Sequence, residues 1–149
     1  MGFALSSPAF GDTAQVPLRH TCDGDDVSPP LVWVDPPEGT RAFALIVDDP
    51  DAPSGTFTHW LLTDIPAAER SIGEGGSSGI AGKNDFGRRG YRGPCPPRGH
   101  GRHEYRFHLH ALSQPLGLGP GVDRRGIDRA LGNRIIATAV LTGWYERRA

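Results

Sequence analysis

From His103 to Leu112 the chain reads HEYRFHLHAL, and apolar and polar side chains alternate along most of it. Tyr105, Phe107, Leu109 and Ala111 fall on one face, and Arg106, His108 and His110 on the other. A period of two predicts a β-strand with one buried face. Carried back two residues, that buried face reaches His103, an ionisable group where an apolar one is expected. Arg41 to Asp49 is a nearly continuous apolar run, with Phe43, Leu45 and Val47 on one face and Ala44 and Ile46 on the other. Its length and flanking turns predict a central strand, and the same alternation brings Asp49 onto the Phe43 face. Phe57 to Ile65 is predicted as another strand, in which plain alternation groups His59 with Leu61, Thr63 and Ile65. Shorter strands are predicted at Leu31–Val34 and, at an edge, around Phe3 and Leu5; a last one starts at Ile135. Asp123 to Arg134 is the helix candidate: Asp123 can cap it, and Ile127, Ala130 and Leu131 share a face. Pro66 to Arg102 lacks periodicity, which marks a functional or mobile segment in a compact domain.

Length and composition narrow the class. The 149 residues are read as one domain, 1–149, large enough to bury a core without staples. Twenty-one glycines and fourteen prolines, interleaved with apolar runs, fit many short strands and tight turns rather than disorder. A net charge of −1 argues against a general nucleic-acid binder. No apolar run approaches the roughly 20 residues of a membrane-spanning helix. The N-terminus lacks the pattern of a signal peptide, so the cytoplasm is the expected compartment. Cys22 and Cys95 show no zinc spacing; a reducing compartment keeps them as thiols, and a bridge between them is the open alternative.

Most motif matches carry little. GGSSG (Gly75 to Gly79) fits a hydrolase pattern in letters, but it lacks the strand-to-helix elbow that exposes a nucleophile. His108 and His110 could chelate a metal, but they oppose the buried face, and an exposed or second-layer role is expected. Three features remain: DDPDAP (Asp48 to Pro53), His59 in THWLL, and GPCPP (Gly93 to Pro97) ahead of His103 and Tyr105. Each puts a polar group at one end of an otherwise apolar strand face, beside a proline-fixed turn. If those strand ends meet, Asp49, His59, His103 and Tyr105 line one small cavity. Imidazole and phenol donors suit a small oxyanion such as phosphate, with Asp49 fixing a histidine tautomer or meeting a cationic part of the ligand. The enzymatic alternative uses Asp49, His59 and His103 to hold a metal, activate water or cleave a phosphoester.

DDPDAPSGTFTHWLLTDIP and GYRGPCPPRGHGRHEYRFHLHAL resemble the two signature regions of the phosphatidylethanolamine-binding protein family. GPCPP and TCDGDDVSPPLVW resemble its bacterial and archaeal branch, the Raf-kinase-inhibitor-like proteins, and the likeness runs from SSPAF to TGWYERR. The resemblance implies a mainly β, sandwich-like fold: a central antiparallel sheet, a smaller sheet, and one or two short helices near the C-terminus. It implies a pocket formed by Asp49, His59, His103 and Tyr105, rimmed by Pro53, Cys95 and Pro96. It further implies non-enzymatic binding of phosphate or phosphoethanolamine-like headgroups, with no cofactor or metal. Regulation of a kinase or protease partner is implied too, with residues 73–92 as the natural contact. Bacterial relatives often pair, so a homodimer is among the expected assemblies. The chain ends at Ala149, shortly after its last strand, so the C-terminal helix that flanks the pocket in animal relatives is not expected.

Overall fold

The computed structural model describes residues 2–148; Met1 and Ala149 lie outside the described residues. In chain order the elements are β1 (Ala4–Ser6), β2 (Leu31–Val34), β3 (Ala42–Asp49), β4 (Phe57–Pro66), β5 (Ser71–Ile72), β6 (Ile80–Ala81), β7 (His103–Leu112), α1 (Arg124–Leu131) and β8 (Ile135–Tyr145). A single 3-10 turn spans Leu18–His20. The strands form two antiparallel sheets: five strands in the order β6-β4-β3-β7-β8, and three in the order β1-β2-β5. The fold is mainly β, as the sequence predicts.

Every residue of β3 is buried, because this central strand is covered on both faces. Phe43, Leu45 and Val47 face the small sheet, where Leu5, Leu31, Trp33 and Ile72 close the main core. Ala44 and Ile46 face the opposite way, against Ile127 and Leu131 of α1. Burying an aliphatic or aromatic side chain of this size contributes about 1.5–3 kcal/mol, so a two-sided strand is a strong anchor. Asp123 caps α1 as expected, its carboxylate accepting from the Gly126 amide at 2.9 Å.

β4 departs from the plain alternation read from its sequence. Its pairing with β3 slips at two points, and one lies at His59: Val47 pairs with Trp60 and Asp48 with Thr58. His59 is the extra residue between them. Two residues oppose one there, and such a bulge re-aims the side chains on either side of it. Leu61 accordingly joins the α1-side cluster, whereas Trp60 and Leu62 join the main core. His59 reaches the main-core side through the bulge, not by sharing a face with Leu61.

The aperiodic stretch from Pro66 to Arg102 is an ordered part of the sandwich. β5 adds a strand to the small sheet and β6 an edge to the large one. The Asn84 side chain accepts from the Phe86 and Arg88 amides and donates to the Gly90 carbonyl, which holds the turn that carries Phe86. Among the described residues no helix is long and apolar enough to cross a membrane.

Candidate functional site

β3 ends, and β4 and β7 begin, at the same margin of the large sheet. Antiparallel pairing therefore brings Asp49, Phe57, His59, His103 and Tyr105 together there. The turn after β3 is set locally: Asp49 Oδ1 accepts from the Asp51 amide at 2.7 Å, bending the chain into the proline-rich segment. The opposite wall is the GPCPP loop, held against the chain near the 3-10 turn. Cys22 and Cys95 form a disulfide, the Cys22 amide donates to the Pro94 carbonyl at 3.1 Å, and the Gly93 amide to Asp26 Oδ1 at 2.8 Å. Only glycine fits at position 93, because a Cβ there would meet the His20 carbonyl oxygen at 2.1 Å. The disulfide decides the question that the sequence left open for the two cysteines.

These segments enclose a cavity of about 300 Å³. Asp49, Pro53, His59, Cys95, Pro96, His103 and Tyr105 all line it, so every residue expected at the site is on its wall. Ala52, Ser54, Phe57, Phe86 and Pro97 line it as well. Phe57 and Phe86 pack edge-on at 4.8 Å and each packs on His59, making one side of the cavity aromatic.

The polar side is a chain of hydrogen bonds. Asp49 Oδ2 and His103 Nδ1 are 2.6 Å apart, with both side chains buried. A carboxylate accepts, so His103 donates through Nδ1. On the far side of the ring, His103 Nε2 meets His100 Nδ1 at 2.6 Å. His100 carried no distinguishing signal in the sequence beyond its spacing of three from His103. It stands between Gly99 and Gly101, both at positive φ, at the tip of the loop.

His59 is oriented by the backbone. Its Nδ1 is 2.7 Å from the Arg92 carbonyl, an acceptor only, so Nδ1 carries the hydrogen and the neutral ring presents a bare Nε2. Burial holds the His59 pKa below its ordinary value, outweighing the Arg92 carbonyl and the carboxylates of Asp49, Asp26 and Asp48. Tyr105 packs edge-on to His59 at 5.3 Å. Its hydroxyl is buried and lies near the Asp49 carboxylate, but among the described residues no hydrogen bond of ordinary geometry ties it to the protein. Burial first, then the Asp49 carboxylate, raise its pKa well above the ordinary tyrosine value, so the group is an O–H donor. Among the described residues, no three His, Cys, Asp or Glu side chains converge as metal ligands.

His108 and His110 lie on the other face, as their alternation predicts. His108 Nε2 is 3.3 Å from Asp48 Oδ1, and His110 Nδ1 is 2.7 Å from Thr138 Oγ1. Each has its own partner, and they do not form a chelating pair.

The profile of the phosphatidylethanolamine-binding proteins matches residues 6–146. A UPF0098 protein of Aquifex aeolicus is 50% identical over 95% of this chain and 86% of its own length. The putative lipoprotein LppC of Mycobacterium tuberculosis is 40% identical over 95% of this chain and 71% of its own. Two crystal structures superpose with a TM-score of 0.92: the putative phosphatidylethanolamine-binding protein homolog CT736 of Chlamydia trachomatis, 34% identical, and E. coli YbcL, 32% identical. The first match covers 98% of both chains; the second covers 99% of this chain and 100% of YbcL. Strand order, the proline-walled cavity and these matches agree, and the chain belongs to the phosphatidylethanolamine-binding protein family, in its bacterial and archaeal branch.

Proposed function

We propose that this protein binds small phosphate-like oxyanions, phosphate or a phosphoethanolamine-type headgroup, in the strand-end cavity, and that it does so without turnover. The carrying observation is the Tyr105 hydroxyl, a buried donor on the cavity wall with no protein partner. A buried donor left unmet costs about 1–3 kcal/mol, which a ligand oxygen would recover. The proline rim is rigid before binding, so little ordering entropy is lost when a ligand enters. His103 keeps the Asp49 carboxylate occupied, which limits its repulsion of an anion. Cys95 is committed to a disulfide, which removes the thiol nearest the cavity from nucleophilic chemistry.

Ligand occupancy would be read by a protein partner, a kinase or a protease, through the segment that carries Phe86. That ring lines the cavity and is also 38% exposed, so one residue reports the interior to the surface. The disulfide also favours an oxidising compartment over the cytoplasm expected from the N-terminus. Alkylation of protein released from cells without reductant would leave Cys22 and Cys95 unlabelled; labelled thiols would return the protein to the cytoplasm.

The test of the binding reading is a calorimetric titration with phosphate and phosphoethanolamine, with EDTA and then with added zinc. Binding indifferent to EDTA and weakened on the order of tenfold or more in His103→Ala is the expected result, since Asp49 then faces the anion unpaired. The fold should survive the substitution. Collapse of the fold would make His103 a core residue, and binding only with zinc would bring the metal-assisted hydrolase forward.

A further inference from the structure

The hydrogen bonds around the cavity leave its buried side chains with one donor and one acceptor, and that pair selects the ligand. His103 has neither nitrogen to spare. Nδ1 donates to Asp49, and Nε2 is spent on His100 whether it accepts from that ring or donates to it. His100 is not itself among the residues lining the cavity. Asp49 has both oxygens engaged, with the Asp51 amide and with His103, and brings a carboxylate to the wall. Apart from the Ser54 hydroxyl at the exposed rim, two side-chain polar atoms on the buried part of the wall have no protein partner among the described residues. The Tyr105 hydroxyl can donate, and the neutral His59 ring can accept at Nε2.

A fully ionised oxyanion would satisfy Tyr105 but set a lone pair against the bare His59 nitrogen and the Asp49 carboxylate. An oxyanion that carries its own O–H satisfies both atoms: an ionised oxygen accepts from Tyr105 and the O–H donates to His59 Nε2. We propose that the cavity takes the singly protonated form of its ligand, a hydrogen phosphate or phosphomonoester monoanion, and discriminates against oxyanions without a proton such as sulfate. His59 is the specificity-determining residue, because the Arg92 carbonyl fixes which of its nitrogens faces the ligand. Phe57 from β4 itself, Phe86 from the loop before β7 and Tyr105 from β7 bury the ring and favour its neutral form, outweighing the Arg92 carbonyl and the Asp49 carboxylate from β3, which favour the charged one. The Arg92 guanidinium is turned to Asp26, at 3.3 Å, and lies over Phe86. This inference rests on the oxyanion reading of the cavity.

The experiment measures phosphate, phosphoethanolamine and sulfate affinities on the intact protein between about pH 5.5 and pH 8, in buffers of different ionisation enthalpy. A phosphomonoester loses its last proton near pH 6, so phosphoethanolamine affinity should fall as pH rises above that point. Binding above it should take up about one proton per ligand. At neutral pH phosphate should bind on the order of 10- to 100-fold more tightly than sulfate, the worth of one hydrogen bond in which a partner is charged. In His59→Gln the side-chain amide can rotate to donate, and the preference should shrink towards unity. Sulfate binding as tightly as phosphate, with no proton uptake, would overturn the inference and leave the oxyanion cavity standing. No binding of phosphate, phosphoethanolamine or sulfate at any pH would overturn the cavity reading, and the inference with it.

Discussion

Asp48 and Asp49 are adjacent on β3, but their side chains leave opposite faces of the sheet and end in two sites of similar composition. Both are buried, at 5% and 4% exposure, and each meets a histidine of β7: His108 at 3.3 Å from Asp48, His103 at 2.6 Å from Asp49. The groove beside Asp48 is the larger, about 460 Å³ against about 300 Å³. By size it would be the candidate ligand site. Its hydrogen bonds say otherwise. Arg124 from α1 reaches Asp48 at 3.0 Å, Thr58 Oγ1 at 3.1 Å and Asp128 at 3.0 Å, and His110 is tied to Thr138. Burial pushes the Asp48 pKa up, but His108 and Arg124 together outweigh it and hold the carboxylate below its usual range. Both Asp48 oxygens are engaged, Oδ1 with His108 and Oδ2 with Arg124, and among the described residues no fully buried side-chain polar atom there is left without a partner. Beside Asp49, the Tyr105 hydroxyl and His59 Nε2 are left over. An Asp–His pair is therefore a poor marker of a binding site. Buried hydrogen-bonding capacity that the protein does not spend on itself is a better one.

Substitutions on the two sides should behave oppositely. Arg124→Met leaves the buried Asp48 carboxylate with only His108 and should lower stability by about 2–3 kcal/mol in denaturant unfolding. Phosphate affinity at the Asp49 cavity should be unchanged. If it fell in step with stability, the two faces would be one coupled site and the contrast would be lost. Tyr105→Phe removes a hydroxyl that has no bond to lose in the unliganded protein, so stability should hold or rise slightly. Phosphate affinity should drop by about 1 kcal/mol, read by the same calorimetry. A stability loss without a binding change would assign the hydroxyl to the core.

Local pattern carried much of this architecture. The HEYRFHLHAL alternation placed β7 from His103 to Leu112, and put His103 and Tyr105 on its inner face. Asp123 capped its helix where the spacing put it, because a cap involves only the next three residues. Asp49 was legible for the same reason, as the continuation of an alternation inside one strand. His59 does share a cavity wall with Asp49, His103 and Tyr105, but plain alternation is an incomplete reason for it. Its direction depends on a bulge whose register belongs to the pairing of β3 with β4, not to β4 alone. Phe86 had no periodic signal, because its place is set by the Asn84 side chain bonding to the turn around it.

By itself, then, the sequence determined the strands with clean alternation, the helix cap, the polar residues at strand ends and the family. All of these are written in neighbours a few positions apart. Tertiary structure alone decided that the Asp49–His103 pair would have unspent buried partners, the Tyr105 hydroxyl and His59 Nε2, beside it. That choice turns on contacts between residues far apart in the chain: Arg124 with Asp48, 76 positions away, His59 with the Arg92 carbonyl, 33 away, and Cys22 with Cys95, 73 away. Hydrogen-bond satisfaction is a property of packed surroundings, and no window of sequence contains it.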